Sequence, residues 1–467
     1  MGRRARLSIS LAVAALLGPG CAQLGGQFGA GFEGAPVAVS DISLAQAEWI
    51  EPAPQDAVPA ASWRWFDDPV LSDLLDRALE ANLTVQSTRL ALEQARIGLR
   101  GAEVRAGPTG GIGGPDVSLS QADEGDLSGR VSLGAFARYE LDLWDVNARA
   151  VEQAGLSVAD AEDALITARI SLAGALVNTY VQLRVLDADI ALTEEQLAIT
   201  ERLRDVAETR FEAGVTTSFE LNQFVVLLQS LRSQIQAART QRRATEQAIA
   251  ALLGEPPGGV SIAPRAFTDF PVDTLRPDAP ITLLAARPDL RRAERALRRA
   301  DIAIADARAA FLPSVTLRAA ADSGGDLRNL AAGLSSGWTL SASLLTALLD
   351  DGSRARTLES RRIEARRAVL SYRASVIAAL QEVEAALANQ NDNLRQAEIL
   401  ALQLSAQEEA ARQSEVQYRA GALSADDLVR QQERLLALRG RQVGLWANEV
   451  RAKVQLLRSF GVDPGES

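Results

Sequence analysis

The chain has 467 residues and a formal net charge of −11, and 47% of its residues are hydrophobic but only 4% aromatic. It contains no histidine and a single cysteine, Cys21, which excludes an intramolecular disulfide and removes the residue types that most often serve as general base or metal ligand. The negative charge disfavours nucleic acid as a partner, and we predict no catalytic residue, no metal site and no cofactor.

The N-terminal segment is typical of an export signal. Three arginines precede an apolar stretch at residues 7–17, which is shorter than the ~20 residues of a membrane-spanning helix but suits the apolar region of a signal peptide. We therefore predict a signal peptide at residues 1–20, lipidation of Cys21 and a lipidated N-terminal tether at residues 21–60. An ordinary signal peptide with an incidental cysteine is the alternative. No run of 18 apolar residues occurs in the chain, which predicts that no helix spans a membrane.

Proline-free segments with apolar residues at helical spacing dominate the rest of the chain. Each half has a short helical segment, then a very long one, then one of intermediate length. They span residues 84–106, 145–213 and 217–253 in the first half and 289–312, 354–420 and 424–460 in the second. At 1.5 Å per residue, the longest segments predict helices of about 100 Å. A short and an intermediate segment together are nearly as long as a very long one. This match in length predicts a long antiparallel helical barrel, in which each short segment abuts an intermediate one end to end.

Between the short and the very long segment of each half, apolar and polar residues alternate. This pattern predicts two β-hairpins, at about residues 115–144 and 314–346. One apolar and one polar face fit the wall of a membrane β-barrel, and a hairpin half-buried in a soluble domain is the alternative. Because known membrane barrels start at about eight strands, four strands cannot close one, and a homotrimer with 12 strands is the simplest solution. The predicted fold class is therefore mainly α with a small β part.

The second half of the chain repeats the first. A shift of 207 places residues 144–254 over residues 351–461 without a gap, and a shift of 205 extends the match upstream. A unit of this size far exceeds the roughly 20–50 residues of solenoid repeats, so it indicates an internal duplication. We predict two repeat domains, at residues 61–260 and 261–467.

Several motifs carry a resemblance to one family. They are Tyr139-Glu140-Leu141-Asp142-Leu143-Trp144, Arg287-Pro288-Asp289-Leu290, Phe311-Leu312-Pro313-Ser314, Arg210-Phe211-x-x-Gly214 and Tyr418-Arg419-Ala420-Gly421. Together they resemble the outer-membrane efflux channel family, TolC-like, in its lipoprotein branch. One departure is Gly107-Pro108-Thr109-Gly110-Gly111, which stands where the family has a Leu-Pro-Ser entry into the first strand and predicts a shorter or later first hairpin.

The resemblance implies a trimeric outer-membrane exit duct of a tripartite efflux pump, which conducts small molecules passively and is not an enzyme. It implies a lipid-anchored protein of the cell outer membrane with a periplasmic helical domain. Its partners would be further copies of the chain, outer-membrane lipid, a periplasmic adaptor (membrane fusion protein) and an inner-membrane transporter. Type I protein secretion and metal efflux are alternatives within the same fold. A periplasmic structural coiled-coil adaptor is less favoured, because it needs no hairpins and no duplication.

The resemblance also implies where the channel is gated. In the family, the turns that link the two longer helices of each half close the channel and contact the adaptor. The candidate gate residues at the channel tip are Asp427, Asp426, Tyr418, Arg210 and Glu220. The candidate adaptor contacts are Gly214, Val215, Thr216, Gly421, Ala422 and Leu423.

Asp427 has two interpretations. It occupies the place of an acidic pore-lining residue of the family, whereas Arg430 occupies the place of a second acid, which puts a double acidic ring in doubt. Alternatively, Asp427 with Ser424 forms only a capping box at a helix start, and Glu220 with Thr217 does the same in the first half.

Overall fold

The structure, a computed structural model, describes residues 63, 68–121, 127–265, 287–326, 335–345 and 352–465. The predicted signal peptide, Cys21 and the whole predicted tether lie outside these residues. In chain order, the elements are α1 (Pro69–Ala81), α2 (Leu83–Ala106), β1 (Thr109–Gln121), β2 (Leu127–Leu141), α3 (Val146–Glu212), α4 (Ser218–Leu252), α5 (Pro288–Ala309), β3 (Ser314–Asp326), β4 (Ser335–Leu345), α6 (Ser353–Arg419) and α7 (Ala425–Ser459).

The long helices have the same lengths in the two halves. α3 and α6 each contain 67 residues, and α4 and α7 each contain 35. The starts of both pairs differ by 207 residues, the shift that relates the two halves of the sequence. The fold is thus mainly helical with a small sheet, as predicted, and an uninterrupted helix of 67 residues is about 100 Å long.

α3 also contains an 18-residue window with a mean hydropathy of 1.3, which is long and apolar enough for a membrane span, although the sequence predicted none. Of that window, 44% is buried inside the protein. α3 buries Ala173, Leu176 and Val177 completely. The core helix of a folded protein has the same apolar character, because it buries much of its surface against other elements.

The chain divides into two compact units. The sheet unit contains the described residues within Gln94–Asp160 and Ala293–Arg373, and the turn unit contains those within Ala47–Glu93, Ala161–Arg292 and Ala374–Ser467. All four strands lie in the first unit, and both turns between long helices lie in the second. The two halves of the sequence therefore contribute to each unit.

In the sheet unit, the four strands form one antiparallel sheet with the order β1-β2-β3-β4. The two predicted hairpins are joined through β2 and β3, whose register runs from Leu141 opposite Val315 to Arg130 opposite Asp326. Among the described strands, β1 and β4 each have one neighbour, so each leaves one edge without a hydrogen-bonding strand.

The first strand corrects the predicted hairpin boundary, because β1 starts at Thr109 rather than near residue 115 or later. The glycine-rich segment is part of the strand and pairs with β2, with a register shift between Gly113 and Asp116. A Cβ atom on Gly111 would lie 3.3 Å from the ring of Phe136, and one on Gly110 would lie 2.9 Å from the carbonyl oxygen of Phe136. The glycines therefore permit close pairing instead of delaying the strand.

Ion pairs join α3 and α5 in the sheet unit. They are Arg295–Asp160 at 2.7 Å, Arg299–Asp160 at 2.5 Å, Arg298–Glu152 at 2.5 Å and Arg149–Asp306 at 2.6 Å. Burial opposes the charge on Asp160, but hydrogen bonds from the two guanidinium groups outweigh it and hold the pKa of Asp160 below its ordinary value. We call this contact the acid–base seam.

A buried polar network holds the turn unit together at α3. The hydroxyl of Tyr180 donates to Asp68 at 2.5 Å and accepts from Arg184 at 2.7 Å. Arg184 and Arg242 both donate to Asp187, at 2.9 and 2.6 Å. The same two arginines donate to the carbonyl oxygens of residues 263 and 262. The network therefore fixes the segment before α1 and the segment after α4 to one point on α3.

We expect Asp187→Asn to destabilise the turn unit, because Arg184 and Arg242 would lose their shared buried counter-charge. The side chain of Asp187 is only 2% exposed, and removing one partner from such a group costs about 3–5 kcal/mol. Thermal unfolding in detergent, followed by circular dichroism, measures the effect. Asp205→Asn is the matched control, because Asp205 pairs with Arg204 on the surface and such pairs contribute little. Equal melting temperatures for the two variants would contradict this role of the network.

Candidate functional site

Two turns of the same geometry link the long helices of the turn unit. In the first turn, the N–H groups of Gly214 and Val215 donate to the carbonyl oxygens of Phe211 and Arg210, both at 2.9 Å. In the second turn, Gly421 and Ala422 donate to Tyr418 and Gln417 at the same distance. This is the Schellman pattern, and it needs a residue in the left-handed region at the glycine position. Gly214 and Gly421, with φ of 68° and 78°, meet that need without strain.

A hydrogen bond connects the two turns within the chain. The hydroxyl of Tyr418, on α6, donates to Oε1 of Glu220, on α4, at 2.9 Å. The other carboxylate oxygen of Glu220 accepts from the hydroxyl of Thr216. The guanidinium carbon of Arg210 lies 5.3 Å from the centre of the Tyr418 ring, which is within cation–π range. Three predicted gate residues, Tyr418, Glu220 and Arg210, are thus brought together.

The Tyr418 side chain is fully buried in an apolar cluster beneath this hydrogen bond. The ring of Phe224 packs edge-on against it, with 6.3 Å between ring centres. The cluster contains Leu203, Ala207, Phe224, Tyr418, Ala425 and Leu428, from α3, α4, α6 and α7. Phe224 was missed by the motif comparison, although its spacing of four residues from Glu220 places both on one face of α4.

Burial, together with the hydrogen bond to Glu220, raises the pKa of Tyr418 to about 12. The phenol is therefore neutral and able to donate at any physiological pH. Because this pKa lies above the ordinary value of about 10, the stability it contributes is complete below pH ~10 and is lost only as the pH rises through ~12.

The two predicted acidic residues of the second turn lie together, but a cation balances them. Ser424 caps α7 by accepting from the N–H of Asp427 at 3.1 Å, and its hydroxyl donates to the Asp427 carboxylate at 2.6 Å. Arg430 pairs with Asp427 at 2.8 Å and also with Asp426. These partners, Ser424 first and then Arg430, hold the pKa of Asp427 below its ordinary value. Ser424 thus caps α7, which agrees with the capping interpretation, and pore lining by Asp427 stays a prediction.

The corresponding capping box of the first half does not form. Thr217 precedes α4, but its side chain makes no capping hydrogen bond. Glu220 is turned instead toward Thr216 and Tyr418. A buried phenol and a neighbouring hydroxyl together satisfy its carboxylate, so the capping prediction for Thr217 and Glu220 was wrong.

The remaining predicted turn residues differ in exposure. Val215 and Ala422 are exposed, whereas Leu423 packs against the apolar cluster. The first turn also exposes Phe211 and Phe219, large apolar side chains that lie four residues before and after Val215 in the sequence. The predicted adaptor-contact turns are therefore accessible, and the first turn offers more apolar surface.

The chain is similar in sequence to a described family over most of its length. A sequence model of the family described as "Outer membrane efflux protein" matches residues 74–255 and 280–462. The pyoverdine export outer membrane protein OpmQ of Pseudomonas aeruginosa is 28% identical over 412 residues, which cover 85% of this chain and 86% of that protein. The toluene efflux pump outer membrane protein TtgC of Pseudomonas putida is 26% identical over an alignment of 485 positions. This alignment covers 97% of this chain and 95% of that protein.

Solved structures show the same fold. The outer-membrane channel OprN matches with a TM-score of 0.80 at 25% identity and covers 88% of this chain and 94% of that chain. The outer membrane protein VceC of Vibrio cholerae matches with a TM-score of 0.78 at 20% identity and covers 87% and 99%. The similarity therefore spans both the helices and the sheet.

Tyr418→Phe tests the contribution of the Tyr418–Glu220 hydrogen bond, because it removes the hydroxyl and keeps the ring. We expect the backbone amides of residues 213–220 to exchange with deuterium about tenfold faster, since a hydrogen bond to a charged group contributes about 1.5–3 kcal/mol. Hydrogen–deuterium exchange with mass spectrometry measures this. Tyr372→Phe, which removes the hydroxyl of a buried tyrosine in the sheet unit, should leave these amides unchanged. Unchanged exchange in Tyr418→Phe would show that the hydrogen bond does not hold the turns.

Proposed function

Because the chain belongs to the outer membrane efflux protein family, we propose that it is the outer-membrane exit duct of a tripartite efflux pump. Efflux proteins of this family reside in the outer membrane and have a helical periplasmic part, and this chain shares their helices and their sheet. The duct conducts small molecules passively, and the lipid on Cys21 anchors it.

The observation that carries the proposal is the sheet with two open edges. An edge strand exposes backbone N–H and C=O groups, and in the hydrocarbon of a membrane each unpaired group costs several kcal/mol. Since β1 and β4 lie at opposite ends of the sheet order, β4 of one copy pairs with β1 of the next. Three copies close a barrel of 12 strands, within the range of known membrane barrels.

The internal duplication supports the same assembly. Each chain contributes two helix pairs of equal length and two hairpins, so three chains approximate a six-fold tube. The hydrophobic faces of such helices need partners, and neighbouring copies supply them. An inner-membrane transporter supplies the energy, and a periplasmic adaptor contacts the turns at Gly214, Val215, Thr216, Gly421, Ala422 and Leu423.

The gate of the duct lies at these turns. The Tyr418–Glu220 hydrogen bond and the Arg210 contact join the α3–α4 turn to the α6–α7 turn. Opening requires the two helix pairs to separate, which breaks this contact. Asp426 and Asp427 add negative charge at the constriction, and Arg430 reduces it.

A deletion strain tests the proposed function. We expect increased sensitivity to small toxic molecules across a panel of drugs, bile salts, metals and solvents, and restoration by the wild-type gene. Sensitivity confined to metals would favour metal efflux, and a loss of protein export without added sensitivity would favour type I secretion. No change in either property would contradict the duct.

Asp427→Ala tests the pore-lining role. If Asp427 lines the constriction, the variant should show weaker block by divalent cations in single-channel recordings, because one negative charge per chain is removed. The pKa of Asp427 lies below its ordinary value of 3.8, so its charge persists as the pH falls to that value. The block of the wild-type channel should therefore not vary between about pH 5 and pH 8. Asp205→Ala, on the exposed surface of α3, is the control, and equal block in both variants would leave Asp427 only its contacts with Ser424 and Arg430 at the start of α7.

A further inference from the structure

The duplication relates a contact seen within the chain to one that no single chain can make. A shift of 207 places α3 on α6, and a shift of 205 places α2 on α5. The acid–base seam between α3 and α5 therefore has an equivalent between α6 and α2. Helix α2 leads into β1, and α6 follows β4, the two ends of the sheet order. The equivalent seam must therefore form between copies.

Exposure of equivalent residues supports this assignment. Ile302 of α5 is 1% exposed, whereas its equivalent in α2, Ile97, is 59% exposed. Asp163 of α3 is 4% exposed, whereas its equivalent in α6, Leu370, is 64% exposed. These two positions are thus buried in α3 and α5, which contact each other within the chain. Their equivalents in α6 and α2, which have no such contact within one chain, are exposed.

Both open helices carry an apolar stripe at heptad spacing. The α2 stripe consists of Leu83, Leu90, Ile97 and Val104, and the α6 stripe consists of Ile363, Leu370 and Ile377. Each helix buries a different face inside the chain, through Val85 and Leu92 in α2 and through Leu358 and Ala365 in α6. A seven-residue apolar repeat is the pattern with which one helix packs along another.

The acid–base seam joins helix segments of opposite charge, whereas its equivalent joins segments of like charge. Residues 146–166 of α3 contain one arginine and four acidic residues, whereas the equivalent residues 353–373 of α6 contain seven arginines and two glutamates. Their partners are both basic, since α2 contains four arginines and two glutamates and α5 carries the arginines of the acid–base seam. In the equivalent seam, Gln94 stands in the place of Arg299 and Arg367 in the place of Asp160, so this ion pair has no counterpart there.

We propose that α6 of one copy packs against α2 of the next through these two apolar stripes, and that the stripes hold the seam closed against repulsion between like charges. The proposal rests on the assembly described under the proposed function and identifies the surface that forms it. Salt should therefore strengthen the contact between copies, since it screens the arginines, and should weaken the ion pairs of the acid–base seam.

Ile97→Asp in the full-length protein tests the surface. Ile97 is exposed within one chain, so the chain should fold normally, as its circular dichroism will report. An unpaired buried charge should lower the association constant of the trimer about tenfold or more, measured by light scattering in detergent. The matched control is Ala91→Asp, which places the same charge on another exposed face of α2 and should leave assembly unchanged. Trimers of Ile97→Asp as stable as the wild type would overturn the assignment.

A charge transplant tests the repulsion. Gln94→Arg with Arg367→Asp copies the Arg299–Asp160 pair into the proposed seam. Raising NaCl from about 0.05 to about 0.5 M should stabilise the wild-type trimer, and the double variant should lose or reverse that gain. A wild-type trimer weakened by salt, or an unaltered salt response in the double variant, would contradict the proposal. A wild-type chain that is monomeric at every salt concentration would contradict the proposed assembly itself.

Discussion

The rest of the structure depends on the hydrogen bonds that a β-strand needs along both edges. β2 and β3 satisfy each other inside the chain, whereas β1 and β4 each leave one edge open. Because backbone groups cannot stay unpaired in hydrocarbon, the proposed assembly pairs these two edges between neighbouring copies of the chain. The strand order also decides which helices come next to each other: β2 continues into α3 and β3 follows α5, so one strand pairing and one helix seam are formed together.

The two halves of the chain share one backbone pattern through the duplication, but differences in side chains give their turns different contacts. Tyr418 and Glu220 are equivalent to Phe211 and Asp427. Phenylalanine cannot donate a hydrogen bond, so the contact that joins the two turns inside the chain has no counterpart between these equivalent residues. Asp427 instead donates its backbone N–H to Ser424, the residue that caps α7, and pairs with Arg430. In the proposed trimer, hydrogen-bonded and non-bonded turns would alternate around the ring, and the contacts could then break in a defined order.

Much of the fold was predictable because its signals are local. Proline-free stretches with a 3.6-residue period marked the helices, and alternation marked the strands. The errors arose where tertiary contacts decided the outcome. Gly110 and Gly111 indicated a delayed strand, but close pairing with Phe136 makes them part of β1. Thr217 and Glu220 matched a capping box, but the Tyr418 hydroxyl, nearly 200 residues away in sequence, satisfies the carboxylate instead.

The sequence by itself determined the family, the lengths of the helices, the repeat and the identity of the turn residues. These features are readable from the sequence because hydrophobic periodicity, proline and glycine act over a few residues. A duplication is detected by aligning the sequence with itself. Only the tertiary structure decided that the two hairpins share one sheet, that Tyr418 binds Glu220, and that Ile302 is buried while Ile97 is open. Those outcomes depend on which distant segments meet, and a local pattern carries no information about its neighbour across the fold.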